Sequence, residues 1–458
     1  MDAPFSWQEG MKLMRVVMFT LTLSSMSILM FNFVLPEISE SFHLTTAQVS
    51  WVTSAYSLIY GIGTVIYGKL ADRYKLKNIL TVGLLVLVAG SFLGLVAQSF
   101  SMVLAARCLQ ASGAAAIPAS AMLIPLRYFP PEQRGHAMGT AFVGLALGSA
   151  LGPIISALMI SMVHWRWLFC IPVFLLLTLP FYRKYLGDEE GSSAHIDWIG
   201  GFLLAASVTL WLLSVTNESW WLLLGGMIGL GVFSLRILTV RQPFIQPQLF
   251  KNKQYTRRLA IAFIVNGIGF SLYFLSPLFL AEIHHLPPAW ISMAMVPAAL
   301  TAALLGQKGG KLADRKGNTY LYSIASSLLI LCFALLSTFI GVSPLWIAFF
   351  LVIGQVGQTF ITIAISNAVS LTLLKEYSGV GMGLLSMLNF IAGGMASGIY
   401  GKMIDLGADV AWNPANVYTN GAVYSNLFLV LAVIHVLTLM FYLAIAKESF
   451  PLNSDGRE

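Results

Sequence analysis

The sequence predicts an all-α membrane protein of fourteen spans, built from two related six-helix bundles with a helix pair inserted between them. Three observations carry this expectation. The 458-residue chain is 57% hydrophobic and only 10% charged, with 11 Trp, which leaves more apolar surface than a water-soluble core absorbs. Fourteen apolar stretches of about 18 to 25 residues follow one another, each long enough as a helix to cross roughly 30 Å of hydrocarbon. Finally, Lys69-Leu70-Ala71-Asp72-Arg73 returns 242 residues on as Lys311-Leu312-Ala313-Asp314-Arg315, each copy charged and set between long apolar runs.

The spans fall at about 12–35, 48–67, 79–98, 102–124, 137–162, 167–183, 197–215, 220–237, 260–280, 291–308, 319–340, 344–373, 380–401 and 422–446. An even count puts both ends on one side. The first stretch has no cleavage-site pattern and leads through Glu37 to another span, so it reads as a retained helix. A second echo supports the duplication: Arg134-Gly135-His136-Ala137-Met138-Gly139 matches Ser378-Gly379-Val380-Gly381-Met382-Gly383, so spans five and thirteen hold equivalent places. Span five carries Gly139, Gly144, Gly148 and Gly152-Pro153; small residues at this spacing allow tight helix contact, and the proline interrupts one internal hydrogen bond. A bending helix that seals one side of a central cavity is the expectation there, against ordinary helix packing.

Lys and Arg near span ends are held on the cytoplasmic side. With both termini inside, all 26 cations except Arg107, Arg166 and Lys402 fall on that side. The net charge of +7 therefore reflects topology, and nucleic-acid binding is not expected, because the cations are dispersed without an aromatic-lined polar platform. Cys108, Cys170 and Cys332 all lie inside spans and read as packing residues without a redox role. The stretch 238–259, with Pro243, Pro247 and five cations, looks like a hinge between bundles, and Gly187 to Ser193 closes the sixth span. Spans seven and eight stand outside the repeat. The domains are thus an N-terminal bundle over 1–190, an inserted hairpin over 191–240, a cytoplasmic linker over 241–258 and a C-terminal bundle over 259–458. Exterior turns are short except at 403–421.

The segment from Gly68 to Lys77 joins spans two and three. Its glycine permits close approach, Asp72 suits hydrogen bonding at a helix N-terminus, and Arg73 suits ion pairing. With Asp314 and Arg315 in the second copy, it reads as a latch broken and remade as the halves rock. Arg107 is the one cation deep in a span, where a permanent charge is costly and usually faces the bundle interior. Gln110 is its polar neighbour one turn on; snorkelling toward the near helix end is the competing reading. Glu37, Glu218, Glu282 and Asp405 sit near exterior span ends, and no acid occupies an apparent midplane. Asn32, Tyr56, Tyr60, Gln110, Asn266, Tyr273, Gln355, Gln358, Thr362, Asn367 and Asn389 would line a polar, largely uncharged cavity suited to an amphipathic organic compound and ill suited to a bare metal ion. Each also serves as an interhelical hydrogen-bond partner in an ordinary bundle. His435 is the one histidine well inside a span, read as a packing residue ahead of a titrating one. HExxH, CxxC and Walker sequences are absent, so no enzyme activity, metal or cofactor is expected.

These residues resemble known signatures. Gly68 to Lys77 resembles the loop between the second and third helices of the major facilitator superfamily. Ala106-Arg107-Cys108-Leu109-Gln110 with Gly113-Ala114 resembles its fourth-helix motif, and Gly144 to Pro153 its fifth-helix antiporter motif. Fourteen spans look like the drug:proton antiporter branch. Within it, Leu35-Pro36-Glu37-Ile38, Trp51-Val52, Tyr67-Gly68-Lys69-Leu70, Gln110 to Pro118 and Ser386-Met387-Leu388-Asn389-Phe390 are most similar to Gram-positive tetracycline efflux proteins. The resemblance implies proton coupling at Arg107, gating at Asp72 and Arg73, and an antiporter role for Gly152-Pro153. Two departures stand out: Ser156-Ala157 replaces the usual glycine pair, and membrane carboxylates are missing where Ser27 to Asn32, Ser149 and Gly394-Met395-Ala396 stand. That loss speaks against cation and metal-tetracycline export.

The resulting expectation is secondary active export of amphipathic drugs, tetracycline-like compounds among them, in exchange for protons by alternating access. Glu37, Glu282 or a site near Arg107 would take the proton. The alternative is an exporter of an endogenous metabolite, lipid-like molecule or peptide, with proton coupling left open and Arg107 as a substrate contact. The partners are then the cargo, protons and membrane lipids, for a monomer in the bacterial plasma membrane.

Overall fold

The structure, a computed structural model, describes residues 7–71, 74–129, 131–187, 197–373, 378–416, 418 and 421–448. The helices are α1 (Trp7–Met30), α2 (Leu35–Phe42), α3 (Thr46–Ala71), α4 (Leu76–Leu95), α5 (Phe100–Ala114), α6 (Ala116–Tyr128), α7 (Pro131–Met162), α8 (Leu179–Tyr185), α9 (Trp198–Asn217), α10 (Trp220–Thr239), α11 (Lys253–Glu282), α12 (Pro288–Lys316), α13 (Asn318–Thr338), α14 (Pro344–Ser370), α15 (Ser378–Leu406) and α16 (Ala422–Glu448). Three 3-10 segments, Phe31–Val34, Trp165–Thr178 and Pro247–Lys251, interrupt them. Among the described residues fourteen helical segments are long and apolar enough to cross a membrane, in the predicted order. Their alternation gives a face that holds both ends of the helical array, the termini face, and a far face.

Several boundaries differ from the sequence reading for physical reasons. The first span tightens to 3-10 geometry over Phe31–Val34 because Pro36, in the first turn of α2, lacks an N–H and crowds the carbonyl four residues back. Asn32 sits on that break. Span six is 3-10 helix over Trp165–Thr178 before it becomes α8; Pro172 within it removes a donor, a defect hydropathy does not register. The repeated motif is less a loop than a helix end. Helix α3 runs through Gly68 to Ala71, and the second copy is helical to Lys316, where Gly317 at φ +87° ends it. Helix α7 continues unbroken through Pro153, and α15 reaches Leu406, shortening the far-face connection.

Polar contacts stitch each face. On the far face Trp165 donates to Ser41 Oγ at 3.2 Å, Arg166 donates to the Ala97 carbonyl at 2.8 Å, and Ser337 donates to the Ser425 carbonyl at 2.8 Å. On the termini face Asn252 donates to the Thr372 carbonyl at 2.8 Å. The inserted hairpin α9–α10 is closed at its base by Asp197, which caps α9 through the Gly200 amide at 2.9 Å and pairs with Arg236 of α10 at 2.8 Å. It also accepts from the Phe244 amide at 3.2 Å. Burial would raise the Asp197 carboxyl; Arg236 and the two amides outweigh it and hold the group below its ordinary value. Next along, the Pro243 carbonyl accepts from Lys69 Nζ of α3 at 2.8 Å.

Candidate functional site

Arg107 sits seven residues into α5 and is 1% exposed. Its guanidinium carbon lies 4.2 Å from the Phe31 ring centroid and 4.0 Å from that of Tyr56. The 3-10 break supplies one ring and α3 the other, so a cation that hydrocarbon would not tolerate is clasped by two π-faces. Nε donates to the Val52 carbonyl at 3.4 Å, and an Nη donates to Gln110 Oε1 at 3.1 Å. Gln110 in turn donates to Ser91 Oγ at 2.9 Å. Among the described residues no carboxylate pairs with Arg107. Gly90 makes the approach possible, since a Cβ there would meet the Gln110 backbone nitrogen at 2.6 Å.

The structure gathers Asn32, Tyr56, Arg107 and Gln110 into this one nest. Asn32 Oδ1 accepts from Thr53 Oγ1 at 2.8 Å, one turn from Tyr56 on the same helix. Tyr56 and Tyr60 stack with centroids 5.8 Å apart, and Tyr60 meets Phe390 of α15 edge-on at 4.5 Å, an aromatic track between the two halves. Beside Phe390 in sequence, Asn389 accepts from Asn266 of α11 at 2.8 Å. Gln355 and Gln358 on α14 are buried with side-chain oxygens that have no partner among the described residues; Gln358 packs on Gly269, and Tyr273 lies beside Gln355. Glu37 and Glu282 do not join the nest. Glu37 lies on α2, one turn from Glu40, and Glu282 ends α11, accepting from the Tyr424 hydroxyl at 2.6 Å.

Of the gating residues, Asp72 and Arg73 lie outside the described residues, as does the side chain of Asp314. Arg315 is exposed at the end of α12, and a Cβ at Gly68 would meet nothing within 4 Å. Gly148 is packed against Ser25 and Thr22 of α1, while Gly152, next to Pro153, is looser, with Leu29 Cβ at 3.4 Å.

The sequence reading missed a seam between α3 and α15 that runs from the far face to just past the middle of both helices. Ser54 and Ser397 hydroxyls are 2.7 Å apart. A Cβ at Gly394 would meet the Ser54 carbonyl at 3.0 Å, at Gly401 the Thr46 carbonyl at 2.8 Å, and at Gly61 Phe390 Cβ at 2.9 Å. At Gly68 and Gly383, nearer the termini face, it would meet nothing within 4 Å. The seam ends on Asp405, whose two oxygens accept from the Thr46 and Ala47 amides at 2.8 and 2.7 Å. Spaced small residues on both helices were the available signal.

A model of the Major Facilitator Superfamily matches residues 17–397. The chain belongs to that superfamily. The chain is similar to a riboflavin transporter, RibZ, from Clostridioides difficile, 27% identical over 69% of this chain and 71% of its own length. A lincomycin resistance protein, LmrB, from Bacillus subtilis is 28% identical over 63% of each chain. Among solved structures, a POT family transporter in complex with 5-aminolevulinic acid superposes with TM-score 0.73 at 14% identity, covering 98% of this chain and 99% of its own. A bacterial homologue of the lysosomal transporter Spinster gives 0.68 at 16% identity, over 96% and 98%. Membership in the superfamily is shown, a coarser relationship than the tetracycline-efflux branch its motifs resemble. The protein is a multi-pass secondary transporter of the bacterial plasma membrane and not an enzyme.

Proposed function

We propose that the protein exports an endogenous organic metabolite, flat, rich in hydrogen-bond acceptors and neutral or anionic, by alternating access. The observation that carries this is Arg107: a buried guanidinium with five N–H donors, of which two are used, held between aromatic rings with no carboxylate paired to it. Acceptor atoms complete such a site, whereas a cation would face repulsion. The buried amides of Asn32, Gln355 and Gln358 and the Tyr56–Tyr60–Phe390 track add polar and stacking contacts. In this reading the termini face is cytoplasmic, the α3–α15 seam is the closed exterior gate, and Gly68, Asp72, Arg73, Asp314 and Arg315 belong to the opposite gate. Gly148, Gly152 and Pro153 set the α1–α7 contact that holds the N-terminal bundle together as it rocks.

A second reading, proton-driven efflux of amphipathic drugs, is favoured by the lincomycin resistance relative. Glu37 and Glu282, both near the far face, are its proton-binding candidates. One experiment tests both readings: purified protein in liposomes, with and without an imposed pH gradient, given riboflavin, an anionic drug, tetracycline and a cationic dye. Movement of riboflavin or the anionic drug, with loss in Arg107→Ala, is the expected result. Movement of the cationic dye, unaffected by Arg107→Ala, overturns the metabolite reading, and gradient dependence decides proton coupling.

A further inference from the structure

Helix α3 begins with an incomplete cap. Thr45 and Gln48 form a capping box: Thr45 Oγ1 accepts from the Gln48 amide at 3.2 Å and Gln48 Oε1 from the Thr45 amide at 3.0 Å. The amides of Thr46 and Ala47 remain, and the partner that takes both is Asp405, from the last turn of α15 in the other half. The seam cannot part on the far face without breaking both bonds and exposing a helix end.

The inserted hairpin touches the same seam. Trp51 of α3 donates to Thr216 Oγ1 of α9 at 3.2 Å, and Lys402 of α15 pairs with Glu218, the C-cap of α9, at 2.5 Å. Lys402 holds the Glu218 carboxyl below its ordinary value. Leu212 lies beside Gly398, where a Cβ would meet it at 3.2 Å. On the termini face, the Asp197 clamp joins the hairpin to Phe244, beside the Pro243 carbonyl that accepts from Lys69 of α3. Helix α9 is therefore linked to α3 at both ends, and its contacts with α15 through Leu212 and Glu218 lie toward the far face.

We propose that Asp405 is the residue that closes the exterior gate, and that α9 is a strap that rides with α3 and clasps α15 when the gate shuts. This rests on the reading of the α3–α15 seam as a gate. When the gate opens, Asp405 leaves Thr46 and Ala47, Lys402 leaves Glu218, and the hairpin keeps its hold on α3. Other titratable groups about Asp405 are Glu282 and Tyr424 from α11 and α16, Lys402 one turn back, and Asp409 in the following turn.

The test uses spin labels in full-length protein in lipid nanodiscs, with Cys108, Cys170 and Cys332 replaced. One label at the exposed Trp221 position is paired with a second at Gln48 or at Asp409. In Asp405→Ala the 221–409 distance gains a longer population, about fivefold over the parent for loss of one cap, while 221–48 stays fixed. Asp405→Asn, still able to accept one hydrogen bond, falls between and serves where Ala does not fold. Unchanged 221–409 distances in both variants overturn the gate role; a lengthened 221–48 distance overturns the strap. Because the distances need no cargo, they separate failure of this proposal from failure of the export reading: distances that shift in a protein that moves none of the four compounds leave the gate standing without the cargo.

Discussion

The Arg107 nest and the Asp405 cap are charged sites that both bear on α3, one from α5 and one from α15, and they solve opposite problems. At Arg107 donors outnumber acceptors, in a wholly buried setting where the shortfall costs most. At the start of α3 every first-turn donor has an acceptor, and the last two come from the other half of the molecule. A site with donors to spare is built to receive something; a site whose donors are satisfied across a seam is built to let go. On the export reading proposed above, the difference separates the charge that would handle cargo from the one that would handle motion.

The strongest way to break the comparison is at Arg107. Arg107→Ala is expected to lower transport in proteoliposomes about 100-fold while the protein stays folded, the scale for losing a buried charged contact. Arg107→Lys restores only part, because an ammonium lacks the planar fork and spans the two rings less well. Full transport in both variants would remove the nest from the cargo path.

Next in size is the packing of α7 against α1. Gly148→Val places carbon against Ser25 and the Thr22 carbonyl and should cost about 1–3 kcal/mol, read as a lower unfolding temperature in detergent. Gly152→Ala, with its nearest neighbour at 3.4 Å, should be nearly neutral. Equal losses at the two positions would mean that α1 and α7 are not in register as described.

Within the seam, Ser397→Ala removes one hydroxyl of the Ser54 pair, worth about 0.6 kcal/mol inside a membrane. Thiol labelling of a cysteine placed on the far-face half of α3 should rise about threefold. No change would show that the glycine contacts alone hold the gate.

The smallest effect concerns the hairpin base. Asp197 titrates below its ordinary value in the folded protein, so its stabilisation is present above the unfolded value, near pH 3.9, and is lost as pH falls through the depressed folded value. Wild type should lose its advantage over Asp197→Asn across that acid range and keep it at neutral pH. Parallel melting curves for the two proteins at every pH would detach the clamp from the fold.

Much of this was legible in the sequence, and what was not follows a pattern. Span count and order come from hydropathy alone, and Arg107 announces itself because a cation inside an apolar run has few explanations. Gln110 followed by helical spacing. Phe31 did not, since one more phenylalanine among 29 carries no signal until the 3-10 break turns it onto the guanidinium. The 3-10 course of span six was hidden because an apolar run has the same hydropathy whichever helix it forms. The seam was hidden by distance: Thr46 and Asp405 are 359 residues apart, and Gly394-Met395-Ala396 drew notice for lacking an acid, not for fitting against α3.

That separation has a consequence for how the chain is made. Thr46 and Ala47 leave the ribosome early, and Asp405 is synthesised only after twelve spans are in the membrane. Until then α3 carries two unanswered amides at the water boundary, and its first turn is free to fray. Biogenesis therefore completes the second helix with nearly the last, and a fragment ending before α15 would insert with that turn unfinished.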